Sequence, residues 1–204
     1  MESDEARAYL SAADAFADLV GRIDPATLAA PGLGQWDLRA LIGHTSRALI
    51  TVLTYLDQPA AAEDVVSPEA YYVLAAQASV DAAAITERGR QAGAQLGDDP
   101  PAAVRDLVDR VRNKVAAVDP EAVITTILGG MRVRAYLPTR TFELVVHCLD
   151  IASATGLGLD LPPEALLDAA QLAARICVGT GQAPTLLVAL TGRSALPAGF
   201  SIVP

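Results

Sequence analysis

Two histidines are the whole imidazole content of this 204-residue chain, and both stand where a helix should be apolar. In residues 139–154, helical spacing puts Phe142, Val145, Val146, Leu149 and Ala152 on one face and Leu144, Cys148 and Ile151 on another, the pattern of a mostly buried helix. Between them runs a stripe of Arg140, Glu143, His147, Asp150 and Ala154, stacked at spacings of three and four. Alone, Glu143 and His147 read as an exposed i,i+4 ion pair or as one jaw of a metal site. His44 lies in residues 35–49, where Asp37 is a helix N-cap and Trp36 and Leu41 are spaced for a hydrophobic staple. It falls in the inward row of Leu41, Ala48, Val52 and Tyr55. A single histidine on such a face is by default a core residue bonded to a carbonyl; two out of two favour a shared role.

Two imidazoles and a carboxylate form the ligand set of a zinc or similar divalent site that keeps a position free for water or substrate. Glu143 and His147 would act from one helix and His44 from a facing helix of a bundle. The motifs WDLRALIGHT (residues 36–45) and RTFELVVHCLDIA (residues 140–152) resemble those of the mycothiol-dependent maleylpyruvate isomerase family, a branch of the DinB-like metal-binding helical bundles. Residues 186–200, LLVALTGRSALPAGF, resemble the close of many members. The resemblance implies His44, Glu143 and His147 as metal ligands, matching the family's histidine, glutamate, histidine one for one. It implies a divalent metal, zinc foremost, with mycothiol or a similar thiol as cosubstrate. The activity implied is that of an isomerase or S-transferase in which a metal-bound thiolate attacks a small electrophile. For the isomerase this means addition of mycothiol to a conjugated cis double bond, rotation, and loss of the thiol. The chain departs from the isomerase type in lacking room for its sizeable second α/β domain: only about 45 residues follow Gly158, which sets maleylpyruvate itself aside as the expected substrate.

Asp150, one turn after His147, is placed to accept from that imidazole and orient it, or is an outward aspartate near a helix end. Arg140, one turn before Glu143, is placed to hold a substrate carboxylate bidentately or to pair with Glu143. Arg193 enters as a substrate-binding residue through the resemblance alone, because the isomerase type uses its C-terminal part near the active site. The competing reading, from a different class, is a non-catalytic metal-binding or partner-binding bundle with the same fold. An open coordination position beside a thiol-sized pocket separates the two.

The elements that must carry these residues are mostly helical. Hydrophobic residues make up 52% of the chain but aromatics only 4%, leaving alanine, leucine and valine to build packed helices. A net charge of -9 argues against a nucleic-acid surface. No uncharged apolar run of about 18 residues is present to span a membrane. The N-terminal residues lack signal-peptide order, so a cytoplasmic location is expected. Cys148 and Cys177 are read as two buried free thiols.

Helices are predicted over residues 4–23 and 37–58, from Ser67 and Pro68 to the Gly89 to Gly93 region, and from the break at residues 98–101 through Val104, Leu107, Val108, Val111 and Val115. Residues 121–136 read as an extended loop or short hairpin broken at Gly129 and Gly130. The segment enters the metal helix at Pro138, with Tyr136 bordering the site or with no chemistry at all. Gly156 is a C-cap. A last helix runs from residues 160–164 to Gly179 with Leu166, Ala170, Ala173, Ala174 and Cys177 inward, and residues 184–190 and 199–203 read as strands around a turn. The fold class expected is mostly α: a DinB-like four-helix bundle (residues 1–157) with an extra connecting helix, and a small C-terminal helix plus β-hairpin appendage (158–204) packed on it.

Overall fold

The computed structural model of the chain describes residues 3–78 and 82–203. In chain order its elements are α1 (Asp4–Val20), α2 (Leu38–Tyr55), α3 (Pro68–Gln77), α4 (Ala82–Gln95), α5 (Pro100–Ala117), the strands β1 (Val123–Thr126) and β2 (Gly129–Arg132), then α6 (Val133–Thr155), α7 (Pro163–Gly179) and α8 (Ala183–Leu190). Four helices close a ring: α1 packs on α5 and α6, and α2 packs on the same two. Outside the ring α4 lies on α2, α3 bridges α6 and α7, and α8 rests on α7.

Capping sets where these helices begin. Asp37 accepts from the Ala40 N–H at 2.7 Å, Asp99 from that of Ala102 at 3.0 Å, and Ser3 from that of Ala6 at 3.2 Å, each satisfying an otherwise orphaned donor. Tyr9, Phe16 and Leu19 of α1, Leu41, Ile42 and Leu49 of α2, Val104 and Val111 of α5, and Leu144, Cys148 and Ile151 of α6 are closed to solvent. Each large apolar side chain buried this way contributes about 1.5–3 kcal/mol. The buried threonine and serine hydroxyls of α2 turn back on their own helix, Thr45 to the Leu41 carbonyl and Ser46 to that of Ile42, so these two groups are satisfied within the core. Both cysteines are buried and free. Among the described residues no helix is long and apolar enough to cross a membrane.

The mostly helical bundle stands as expected, with four corrections. The long helix read from Pro68 to the Gly89 to Gly93 region is two: α3 ends with Ala78 in an extended conformation (ψ 127°), and α4 begins at Ala82. Of the two hairpins read from the sequence, the C-terminal one does not form, and the one in residues 121–136 does, before α6. It pairs Val123 with Arg132 and Thr126 with Gly129, so the two glycines belong to β2 and the reversal falls at Ile127 and Leu128. Gly130 is needed because a Cβ there would run into the Ala62 carbonyl, where residues 58–65 lie along the hairpin. Residues 184–190 fold as α8 and residues 199–203 form no strand. The apolar run of α8 passes equally for a short strand or a helix, and it leaves Leu187 and Leu190 exposed. Finally, α7 buries Ala165, Ala169, Leu172 and Ile176 along with Cys177, while Leu166 is 42% exposed. With apolar residues on most faces, the period alone did not fix which one turns inward.

The helix α6 begins five residues earlier than its sequence suggested and carries Pro138 inside it. It ends as expected at Gly156, in the left-handed conformation with φ 69°. Of its two apolar faces, that of Leu144, Cys148 and Ile151 is the deeper, and Leu149 is half exposed.

Candidate metal centre

The stripe on α6 meets α2 where the ring brings the two helices together. His44, Glu143 and His147 each offer a donor atom, and the three atoms lie within 4.8 Å of one another. The imidazoles stand edge to face with centroids 4.8 Å apart, and His147 Nε2 is 3.5 Å from Glu143 Oε2. Among the described residues no other such set converges.

Each donor is held from behind. His147 Nδ1 donates to Asp150 Oδ2 at 2.9 Å, which fixes the ring and leaves Nε2 toward Glu143. The Tyr72 hydroxyl lies 2.8 Å from Glu143 Oε1 and 3.0 Å from the Thr139 carbonyl, steadying the carboxylate through the oxygen that does not face His147. Trp36 lies against His44 with centroids 4.4 Å apart, and its indole N–H donates to the Thr86 carbonyl of α4 at 2.9 Å. His44 Nδ1 is buried without a hydrogen-bond partner.

The electrostatics follow from these contacts. Burial, and after it the charge of His147, push the His44 imidazole down to about 4, so it is neutral with a lone pair available. Burial works against a charged His147 too, but its bonds to Asp150 and Glu143 outweigh this and raise it to about 9. For Glu143 burial favours the neutral acid, yet His147, Arg140 and the Tyr72 hydroxyl prevail and hold the carboxyl down at about 2. The arrangement is thus an imidazolium held between two carboxylates beside a neutral imidazole. A divalent cation would take the place of that charge among His44, Glu143 and His147, whose donor atoms lie within 4.8 Å of one another, so the residues present fit such an ion.

A cavity of about 250 Å³ opens beside the triad. Helix α2 lines it with His44, Arg47, Ala48, Thr51 and Tyr55, and α6 with Tyr136, Arg140 and Glu143; Tyr71, Arg88 and the hairpin tip Ile127 complete the wall. The guanidinium of Arg140 lies over the rings of Tyr71 and Tyr136, 5.5 and 5.2 Å from their centroids, and its Nε donates to Thr139 Oγ1 at 3.0 Å. Among the described residues Arg140 makes no ion pair, with Glu143 or any other carboxylate. Among the described residues, larger surface hollows of about 810 and 500 Å³ hold no converging metal donors.

The structure therefore brings together His44, Glu143, His147 and Asp150, and sets Arg140 in the adjoining wall. Arg193 is exposed just after α8 and lines no part of the cavity. The sequence reading missed Tyr72, the cavity face of α2 and Arg88. The signal for α2 was present: counting 3, 4, 7 and 11 residues on from His44 gives Arg47, Ala48, Thr51 and Tyr55, all of them lining residues.

A family model described as the mycothiol maleylpyruvate isomerase N-terminal domain matches residues 9–152, a span that contains all four helices of the ring apart from the first residues of α1 and the last of α6. No curated protein and no solved structure matches the chain.

Proposed function

The chain belongs to the mycothiol maleylpyruvate isomerase N-terminal domain family, and from that premise we propose a metal- and thiol-dependent enzyme, an isomerase or S-transferase acting on a small electrophile. The observation that carries this reading is the convergence of His44, Glu143 and His147 within 4.8 Å at the wall of a cavity, with a buried His44 nitrogen left unpartnered. These three residues would hold the cation. Zinc is the ion proposed, because two imidazoles and a carboxylate that leave one position free suit it. When bound, it supplies Lewis acidity that draws the proton from a coordinated thiol near neutral pH.

The chain's own residues do the rest. Asp150 holds the Nδ1 proton of His147, so Nε2 presents its lone pair. Tyr72 keeps Glu143 oriented, and Trp36 covers His44. Arg140, fixed between two tyrosine rings, presents a guanidinium to the cavity for an acidic group of the electrophile. The thiolate sulfur would add to a conjugated double bond of the electrophile there, breaking its π bond; an isomerase would expel the thiolate again after rotation, and an S-transferase would keep the C–S bond while the neighbouring carbon takes up the thiol's proton. The family and the donor set both support the small thiol as cosubstrate, and a cytoplasmic setting rich in such thiols suits that chemistry.

The deciding experiment is metal content by elemental analysis on protein purified without an affinity tag or chelator, beside the His147→Ala variant, followed by thiol consumption with unsaturated acids. About one zinc per chain in the native protein, as a single three-ligand site holds, none in the variant, and thiol loss only in the former are expected. Zinc without thiol chemistry would leave a non-catalytic metal-binding bundle. No metal in either protein, even after incubation with zinc, would leave a partner-binding one.

A further inference from the structure

We infer that Arg140, Arg47 and Arg88 form an anion subsite in the wall of this cavity, which selects an electrophile carrying a carboxylate or phosphate group. The chain's net charge is -9, yet the charged side chains lining the cavity, beside neutral His44, are these three arginines and Glu143. Elsewhere five arginines pair with carboxylates, Arg7 with Asp4, Arg110 with Asp106, Arg112 with Asp14, Arg132 with Glu63 and Arg134 with Glu121, and Arg22 and Arg39 donate to backbone carbonyls. Among the described residues none of the three at the cavity has a carboxylate within 4 Å. Among the described residues Arg140 uses only its Nε, on a neutral hydroxyl, and its two terminal nitrogens have no acceptor there.

A guanidinium withdrawn from bulk water without a counter-ion is costly, and an oxyanion meets it with two parallel hydrogen bonds. Stacking on Tyr71 and Tyr136 holds the plane of Arg140 ready for that geometry. Arg47, one turn after His44, carries the charge along α2, and exposed Arg88 stands at the cavity edge with Ile127, which is 76% exposed. At about 250 Å³ the space lies below the roughly 300–1,000 Å³ of pockets for larger ligands, so the anion is small.

The inference rests on this cavity being the substrate cavity of the proposed enzyme, but its test does not need catalysis. Calorimetric titration of succinate and of inorganic phosphate into the full chain, metal-stripped and zinc-loaded, is run with metal content and helical signal measured on the same samples. At least one of the two anions should bind, more weakly at high salt. Arg88→Gln, on an exposed side chain, and Arg47→Gln should each weaken it roughly tenfold or more, the worth of a charged hydrogen bond, with helicity and zinc content unchanged. Arg140→Lys, which keeps the charge but not the fork, should weaken it as well.

Absence of anion binding by the native chain, or unchanged affinity in Arg47→Gln and Arg88→Gln, overturns the subsite. N-acetylcysteine and its neutral amide test whether the acid belongs to the thiol instead. Tighter, Arg88-dependent binding of the acid to zinc-loaded protein, with neither succinate nor phosphate bound, overturns the assignment to the electrophile. Zinc held without anion removes the subsite and leaves the proposed function; anion held by a chain that never takes zinc removes the function and leaves the subsite.

Discussion

The proton on His147 is the residue-scale feature with the most direct consequences. It is held to about pH 9 by Asp150 and Glu143 against burial, and a cation must displace it. Zinc binding at pH 7.5 should therefore release about one proton, and affinity should climb with pH until about 9. Calorimetry in buffers of different ionisation enthalpy reads the release; a buffer-independent heat would mean that His147 is not a ligand.

In the metal-free protein the raised pKa of His147 contributes stability that is full below its ordinary 6.5 and lost as pH rises through about 9. The lowered pKa of His44 contributes stability present above 6.5 and lost as pH falls through about 4. The site's contribution should therefore be greatest near pH 6.5, which denaturation midpoints across pH can check. Asp150→Asn should lower zinc affinity ~10 to 100-fold and bring the His147 titration down, with little change in melting temperature; a change in melting temperature alone would make Asp150 a packing residue. The triad was legible in sequence because histidine is scarce and its neighbours on α6 recur at helical spacing. Tyr72 was not, since nothing in the order of residues says that α3 lies over Glu143.

At the scale of elements, the close approach of α2 and α4 carries the most weight. A Cβ on Gly43 would run into the backbone of Gly93, and one on Gly93 would sit 2.7 Å from the Arg39 carbonyl. Gly89 leaves the room that Trp36 fills, so these glycines let α4 support the residue covering His44 and deliver Arg88 to the cavity. Gly43→Ala should cost about 3 kcal/mol or more by overpacking backbone on backbone and should loosen zinc binding with it. Gly158→Ala, which meets nothing within 4 Å, is the control, and denaturant unfolding of both variants gives the comparison; equal midpoints would mean that the crossing yields easily.

Helix starts were readable from Asp37, Ser67 with Pro68, and Asp99 because a cap is a local device. The division between α3 and α4 and the inward face of α7 were not, because alanine-rich segments suit a helix everywhere and show little preference of face. For α8 an apolar run eight residues long gave no period to separate helix from strand.

Across the whole molecule, the donors divide unequally: α2 supplies His44 alone, while α6 supplies Glu143, His147 and the supporting Asp150. The ring of α1, α5, α2 and α6 must close before the three donors meet, so removal of the cation should leave the helices in place. Chelator treatment should keep the helical circular dichroism and lower the unfolding free energy, by about 2.7 kcal/mol relative to protein with free zinc at a hundredfold excess over its Kd. Loss of helical signal on chelation would mean instead that the ion builds the fold.

The same division sets the order of events in time. A cation joining His44 to Glu143 closes a chain segment of about 100 residues, the kind of long loop in which a cross-link restricts the unfolded ensemble most. Neither helix alone offers more than two of the three donors, so the tie forms only after the distant halves of the chain have docked. Such a late contact leaves the folding rate almost unchanged and slows unfolding instead. The occupied centre would thus act as a latch on the finished bundle, lengthening its lifetime rather than hastening its assembly.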